Sequence, residues 1–345
     1  MIPINTPLTK HFGLKTPIIL APMGSVATPE LASAITAAGA LGTIGAAFDA
    51  TASVTLAKIQ KIKTILNIAP GTPVPVAIGL IGWKLDKTEV SDDPRLHAIL
   101  NEHPAAIFFA FGDDLGKYIA QVHEHDKKHG RKTFIFVQLG TVEDAVRYAP
   151  QVDCIVVQGN EAGGHGRSDA PPMFSLLQAV LSALPSGPMV VAAGGISTGA
   201  QIAALLTMGA AGVLLGTRFL FTPECPWPLA KKDALLKLDL NPTRTVRTLA
   251  YDEVGRSMGW PAKHDGRAIR NKVMDDVAAG LSLDERLARY DESAAKGEDS
   301  RLIVWAGVGA GITSEIKPAA EVVRELHEEA IQKLRSVDLF LAGGV

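Results

Sequence analysis

Eight short apolar, β-rich runs alternating with helical stretches constrain this chain more than any other feature. They fall at residues 17–21, 41–46, 74–80, 106–110, 133–138, 153–158, 189–193 and 212–216. Polar or glycine-rich residues follow each run, and most are then followed by an amphipathic stretch. Regular β–α alternation calls for parallel strands covered by helices, because a parallel crossover needs a helix and a sheet buried on both faces reads as continuous apolar sequence. Eight such units predict a closed (β/α)8 TIM barrel.

The texture changes after Phe221. Thr222-Pro223-Glu224-Cys225-Pro226-Trp227-Pro228 breaks the pattern, and the sequence up to about Asp299 is rich in charge without a strong β run. Residues 223–300 therefore read as an inserted, mostly helical second domain lying as a lid over the barrel mouth. Residues 1–222 and 301–345 form the barrel in this reading, with 317–334 as a closing helix whose Pro318 sits near its first turn. The segment Lys263-His264-Asp265-Gly266-Arg267 reads as a surface turn of the insertion.

With 34 basic and 36 acidic residues among 345, the net charge is −2, so no field of one sign exists to hold nucleic acid or acidic lipid. No apolar run approaches the length of a membrane span, and the amino terminus lacks a basic patch followed by an apolar core. The two cysteines, Cys154 and Cys225, make neither a disulfide framework nor a zinc pattern, and no metal site is expected. The cytoplasm is the expected compartment, a homodimer is compatible with the chain, and partners are expected to be small molecules.

Barrel enzymes place their chemistry at the carboxyl ends of the strands. After the sixth run comes Gln158-Gly159-Asn160-Glu161-Ala162-Gly163-Gly164-His165-Gly166-Arg167, which presents one histidine among glycines. Gly163 and Gly164 lack a Cβ, so the chain there can approach another molecule closely. His165 is the candidate acid–base residue, since its ordinary pKa near ~6.5 suits proton transfer at neutral pH; the bland alternative is a histidine satisfied within its own loop. Gly194-Gly195 follow the seventh run and Gly216-Thr217 the eighth, the usual phosphate-binding loops of such barrels. Glycines there also serve tight turns. Ala21, Pro22, Met23 and Gly24 end the first run, where a flat cofactor could rest against the polarisable Met23 thioether; a core methionine with Thr28 as a helix cap reads equally well. Gln138 ends the fifth run with an amide able to meet a heteroaromatic edge, or simply to satisfy a strand end.

Other candidates are weaker. His123, His125 and His129 sit in a charged stretch that reads as a solvated helix face, not a metal site. The series Gly39, Gly42, Gly45 and Gly307, Gly309, Gly311 lack the order of a dinucleotide fingerprint.

Taken together, APMGSVATPELA, QGNEAGGHGR, AAGGIS and GAAGVLLGTRF resemble the nitronate monooxygenases, formerly 2-nitropropane dioxygenases, along nearly the whole chain. The resemblance implies an FMN-dependent barrel using O2, with the FMN phosphate on Gly194, Gly195, Gly216 and Thr217. It puts the ring near Ala21, Pro22, Met23, Gly24 and Gln138, and His165 beside the reactive face. It implies oxidation of an alkyl nitronate, such as propionate 3-nitronate, to a carbonyl compound and nitrite. One departure stands out: where many relatives carry an asparagine after the third strand, this chain reads Gly79-Leu80-Ile81-Gly82-Trp83, which makes Trp83 a candidate shaper of the pocket. NAD(P)H-dependent quinone or enoyl reductases share the Glu-Ala/Ser-Gly-Gly-His element and give a second reading. A barrel that binds a phosphate-bearing ligand without chemistry is a third.

Overall fold

The computed structural model describes residues 1–46, 48 and 51–337. Its strands are β1 (Ile18–Leu20), β2 (Gly42–Gly45), β3 (Val74–Ile81), β4 (Pro104–Ala110), β5 (Phe134–Leu139), β6 (Cys154–Gln158), β7 (Gly164–Arg167), β8 (Met189–Ala193), β9 (Gly212–Leu215), β10 (Thr245–Thr248) and β11 (His264–Ile269). Eight of them pair in parallel in the order β1-β9-β8-β6-β5-β4-β3-β2. The ring closes where the Leu20 N–H donates to Leu41 O (3.0 Å) and the Leu41 N–H to Ile18 O (2.9 Å). The chain is a TIM barrel, and each of its eight barrel strands falls on one of the eight apolar runs.

Strand alternation divides the interior in two. Ile19, Ala77, Phe108, Phe136, Val156 and Leu214 point into the barrel, while Ile18, Leu20, Ile107, Ile135, Val157 and Val213 face the helices around it. Opposite faces at successive residues follow from the pleat, and both faces are apolar because both are covered. The helix Pro7–Phe12 plugs the bottom: Leu8 joins the barrel interior, and the Phe12 ring lies 4.8 Å from Phe134.

Threonines start several of the helices that follow the strands. Thr28 accepts from the Leu31 N–H after β1, Thr141 from the Asp144 N–H after β5, and Thr198 forms a reciprocal capping box with Gln201 after β8. Such caps satisfy otherwise orphaned N–H groups and end each strand-to-helix loop sharply. The closing helix runs Ala319–Ser336 and packs on the helix Gly199–Thr207.

The stretch 223–300 contains helices, the longest Leu283–Ala295, but also β10 and β11, where no β run was expected. Residues 263–267, read above as a surface turn, mostly belong to β11. That strand pairs antiparallel with β10 on one side and β7 on the other, setting Gly266 opposite His165 and Asp265 opposite Gly166. The pattern was hidden because this small sheet is polar along much of its length, with Arg247, Asp265 and Arg267 on its strands. A separate apolar cluster of Ala250, Tyr251, Val254, Ala268 and Val273 supports it.

The histidine-rich helix Gly116–His129 also departs from expectation. His125 and Asp126 are buried on the face that carries Tyr118, Ile119 and Val122, and His125 Nε2 lies 3.1 Å from Asn101 Oδ1. Polar residues occupy core-facing positions there because each finds a partner, Asp126 accepting from the Thr133 hydroxyl at 2.9 Å. Among the described residues, no helix is long and apolar enough to cross a membrane.

Candidate active site

A cavity of about 440 Å3 opens at the carboxyl ends of the barrel strands. Its wall gathers residues from distant parts of the sequence: Ala21, Pro22, Met23 and Gly24 after β1, Gln138 in β5, and Gly163, Gly164 and His165 after β6. Gly194 and Gly195 after β8 and Gly216 and Thr217 after β9 complete the set picked out in the sequence. All twelve share this one space.

The glycines differ in what holds them there. Gly194 and Gly195 have φ of +114° and +70°, conformations L side chains rarely adopt, so glycine is required for the turn after β8. Gly163 is needed for close approach: a Cβ there would strike the backbone of Ala306 and Gly307. The loop around Gly307 thus presses against the histidine segment, and its N–H donates to Thr217 Oγ1 at 3.0 Å. Gly307 and Gly309 line the cavity. Their glycine run was visible in the sequence but matched no dinucleotide pattern, and only packing shows what it serves.

His165 stands in β7, not in a free loop. Its Nε2 lies 2.9 and 3.0 Å from the two carboxylate oxygens of Asp252. Asp252 is fully buried, and its Oδ1 also accepts from the Ser257 hydroxyl (2.7 Å) and the Trp260 indole N–H (3.1 Å). The Trp260 ring stacks on the imidazole with centroids 3.6 Å apart and planes 7° from parallel. Trp305 meets it from another side at 4.6 Å. Asp252, Ser257 and Trp260 all come from the stretch 223–300, and nothing local in the sequence distinguishes them from surface residues of a charged helical region.

Aromatic side chains form one wall of the mouth. Phe111 and Trp83 each lie 5.5 Å from Trp260, and Phe48 lies 6.4 Å from it. Phe48, Phe111 and Trp260 line the cavity, while Trp83 packs behind Trp260 and so shapes the space at second hand. Phe111 has φ +57°, a conformation a bulky residue adopts only under constraint. The constraint is visible: its carbonyl accepts from the Trp83 N–H at 3.0 Å, and its ring is wedged between Trp260 and His264. Burial holds the His264 imidazole below its usual pKa, so this neighbour is neutral at neutral pH.

The remaining charges near His165 are engaged elsewhere. Arg247 pairs with Asp265, with its Nε donating at 2.8 Å, and Arg267 Nε donates to Asn160 O at 3.1 Å. Arg167 pairs with Asp169, and the Glu161 carboxylate accepts from the Met173 N–H at 2.8 Å. The arrangement presents one imidazole, backed by a buried carboxylate, to a mostly apolar cavity rimmed by glycine loops.

A profile of the nitronate monooxygenase family matches residues 5–329. The chain belongs to the nitronate monooxygenase family. It is 31% identical to a nitronate monooxygenase of Neurospora crassa over 95% of this chain and 93% of the relative. A nitronate monooxygenase of Pseudomonas aeruginosa is also 31% identical, over 93% of this chain and 98% of its own length. Among solved structures, a nitroalkane oxidase of Streptomyces ansochromogenes superposes with a TM-score of 0.74 at 26% identity, covering 96% of this chain and 99% of that one. FabK of Thermotoga maritima reaches 0.75 at 23% identity, with 98% and 100% covered, and shares the barrel fold. The chain is accordingly an oxidoreductase of a nitronate-oxidising family.

Proposed function

We propose that this protein binds FMN and oxidises alkyl nitronates of the propionate 3-nitronate type with O2, yielding a carbonyl compound and nitrite. The observation that carries the reading is the single cavity in which the glycine loops after β8 and β9, the Ala21–Gly24 turn and His165 meet.

The chain's residues fit the cofactor. No hydrogen bond among the described residues is donated by the N–H of Gly194 or Gly195, which leaves both donors for an anion such as a phosphate. Thr217 stands beside them on the next loop, and no Cβ projects from Gly194, Gly195 or Gly216 into the space. Ala21, Pro22, Met23 and Gly24 offer an apolar, polarisable surface for a ring, and Gln138 offers an amide to its edge. The chemistry such a group supplies when bound is one-electron exchange with an electron-rich nitronate and with O2.

The protein's own part is binding, shielding and proton transfer. Trp260, Phe111 and Trp305 exclude water from one side of the cavity and set the shape open to an alkyl chain. His165, in its neutral form, takes the α-proton when the substrate arrives as a nitroalkane, and as imidazolium it holds the resulting anion. A preformed nitronate needs no such step.

A second reading rests on a CoA-ester dehydrogenase of Mycobacterium tuberculosis that is 32% identical over 80% of this chain and 69% of its own length. It would make the protein an NAD(P)H-dependent flavin reductase. Anaerobic mixing of flavin-loaded protein with propionate 3-nitronate, and separately with NADH or NADPH, separates the two. Loss of visible absorbance with the nitronate alone is the expected result; rapid loss only with the nicotinamide would move the assignment to a reductase. Purified protein with no affinity for FMN would defeat both.

A further inference from the structure

His165 has two ring nitrogens, and the fold treats them differently. Nε2 faces both oxygens of Asp252 at 2.9 and 3.0 Å, whereas Nδ1 makes no hydrogen bond to any protein group among the described residues. A carboxylate that already accepts from the Ser257 hydroxyl and the Trp260 indole can only accept from His165 as well. A donor at Nε2 makes the neutral ring the Nε2–H tautomer and leaves the lone pair on Nδ1. Stacking against Trp260 and the tilted contact with Trp305 fix the ring plane. The strand pairing leaves no slack either: a Cβ at Gly266, directly across from His165, would run into Trp305 and stand 3.1 Å from Nε2.

We propose that Asp252 is a positioning residue that locks His165 as the Nε2–H tautomer, so that Nδ1 is the atom that removes the substrate's α-proton. The proposal rests on the reading of His165 as a base. The C–H bond of the nitroalkane breaks, its electron pair stays with the nitronate, and the proton forms a bond to Nδ1; no electron leaves the pair of reactants. The imidazolium so formed donates from Nε2 to a carboxylate it already touches, which offsets the charge at the moment it appears. Asp252 belongs to the helix Ala250–Val254 of the 223–300 stretch, so nitroalkane activation depends on that stretch being docked on the barrel. The other ionisable groups on the elements around His165 do not compete for this part. Arg247 and Asp265 pair with each other, Arg267 bonds Asn160, Arg167 bonds Asp169, and His264 contacts Ala262 O at 3.0 Å.

The test has two parts. Nitrogen-15 NMR of histidine-labelled protein, with the His165 signal assigned by its loss in His165→Asn, reads the tautomer directly and needs no turnover. A neutral ring protonated at Nε2 is expected; protonation at Nδ1 overturns the proposal. Turnover of a nitroalkane and of the matching preformed nitronate is then compared between wild type and Asp252→Asn, a change of nearly equal shape that removes the charge. The carboxylate offsets the imidazolium only where a proton is taken, so the nitroalkane rate should fall ~10-fold or more while the nitronate rate is nearly kept. A merely structural contact would lower both rates alike, and an equal fall on both substrates overturns the proposal. If Asp252→Asn does not fold, the wild-type tautomer decides alone. If His165→Asn turns over nitroalkanes as fast as wild type, the base reading fails while the tautomer result still stands.

Discussion

Gly194→Ala probes the glycine cradle where its geometry is most demanding. At φ +114° the residue lies well outside the left-handed basin near about +57°, and a new Cβ would sit 3.2–3.4 Å from Gly159 O, Ala162 N and Gly159 N. All three neighbours are backbone atoms, so none can swing aside. Holding a non-glycine residue there costs about 3 kcal/mol. With 345 residues and about 2.1 cal/mol/K of unfolding entropy each, 1 kcal/mol corresponds to ~1.4 °C, which predicts a fall in Tm of ~4 °C. Gly13→Ala is the control: φ is +66° and nothing lies within 4 Å of a Cβ, so it should cost about 1 kcal/mol, or ~1.4 °C, with no effect on the site. The two variants separate further in flavin binding. Relaxing the turn displaces the Gly194 and Gly195 N–H groups, and the loss of even one good donor to a phosphate raises the FMN dissociation constant ~10-fold or more. Thermal melts with and without added FMN, together with a fluorescence titration, give both numbers. Unchanged FMN affinity in Gly194→Ala would refute the cradle, whatever happens to the melting temperature.

Two further outcomes follow from particular contacts. His165→Asn should cut turnover of nitroalkanes by about 100-fold or more as for loss of a general base, while slowing preformed nitronates much less; parallel assays of nitrite release from both substrates check it, and equal activity of mutant and wild type on nitroalkane refutes the base assignment. Asp276, buried between Arg301 and Arg289, is held below the ordinary carboxylate pKa chiefly by its hydrogen bond from Arg301, so it stabilises the protein above the unfolded aspartate pKa of about 4 and loses that contribution as pH falls through its folded value. Asp276→Asn should therefore cost about 1.5–3 kcal/mol at neutral pH, and melts in increasingly acid buffer should show the gap from wild type closing below about pH 4; a gap independent of pH would argue against the ion pair.

Much of this protein is legible from local sequence. The barrel strands announced themselves because a strand buried on both faces must be apolar throughout, and Thr28 offered a helix start because a cap acts within three residues. The glycines at 194 and 195 and the histidine at 165 stood out because backbone conformation and side-chain chemistry are properties of single positions. The small sheet of β7, β10 and β11 was invisible for the opposite reason. Sequences such as Thr-Val-Arg-Thr and His-Asp-Gly-Arg-Ala-Ile alternate weakly, and their charged members are satisfied by each other, by the Thr245 hydroxyl and by backbone of the histidine segment. Asp252 lies 87 residues from His165, and Trp260 lies beyond it in the same charged stretch. No periodicity links such residues, because a hydrogen bond between distant segments leaves no repeat in either of them. The sequence by itself determined the barrel, its loops and the one imidazole at the mouth; the tertiary structure alone decided which carboxylate backs that imidazole, which nitrogen is left free, and which aromatic rings close over it.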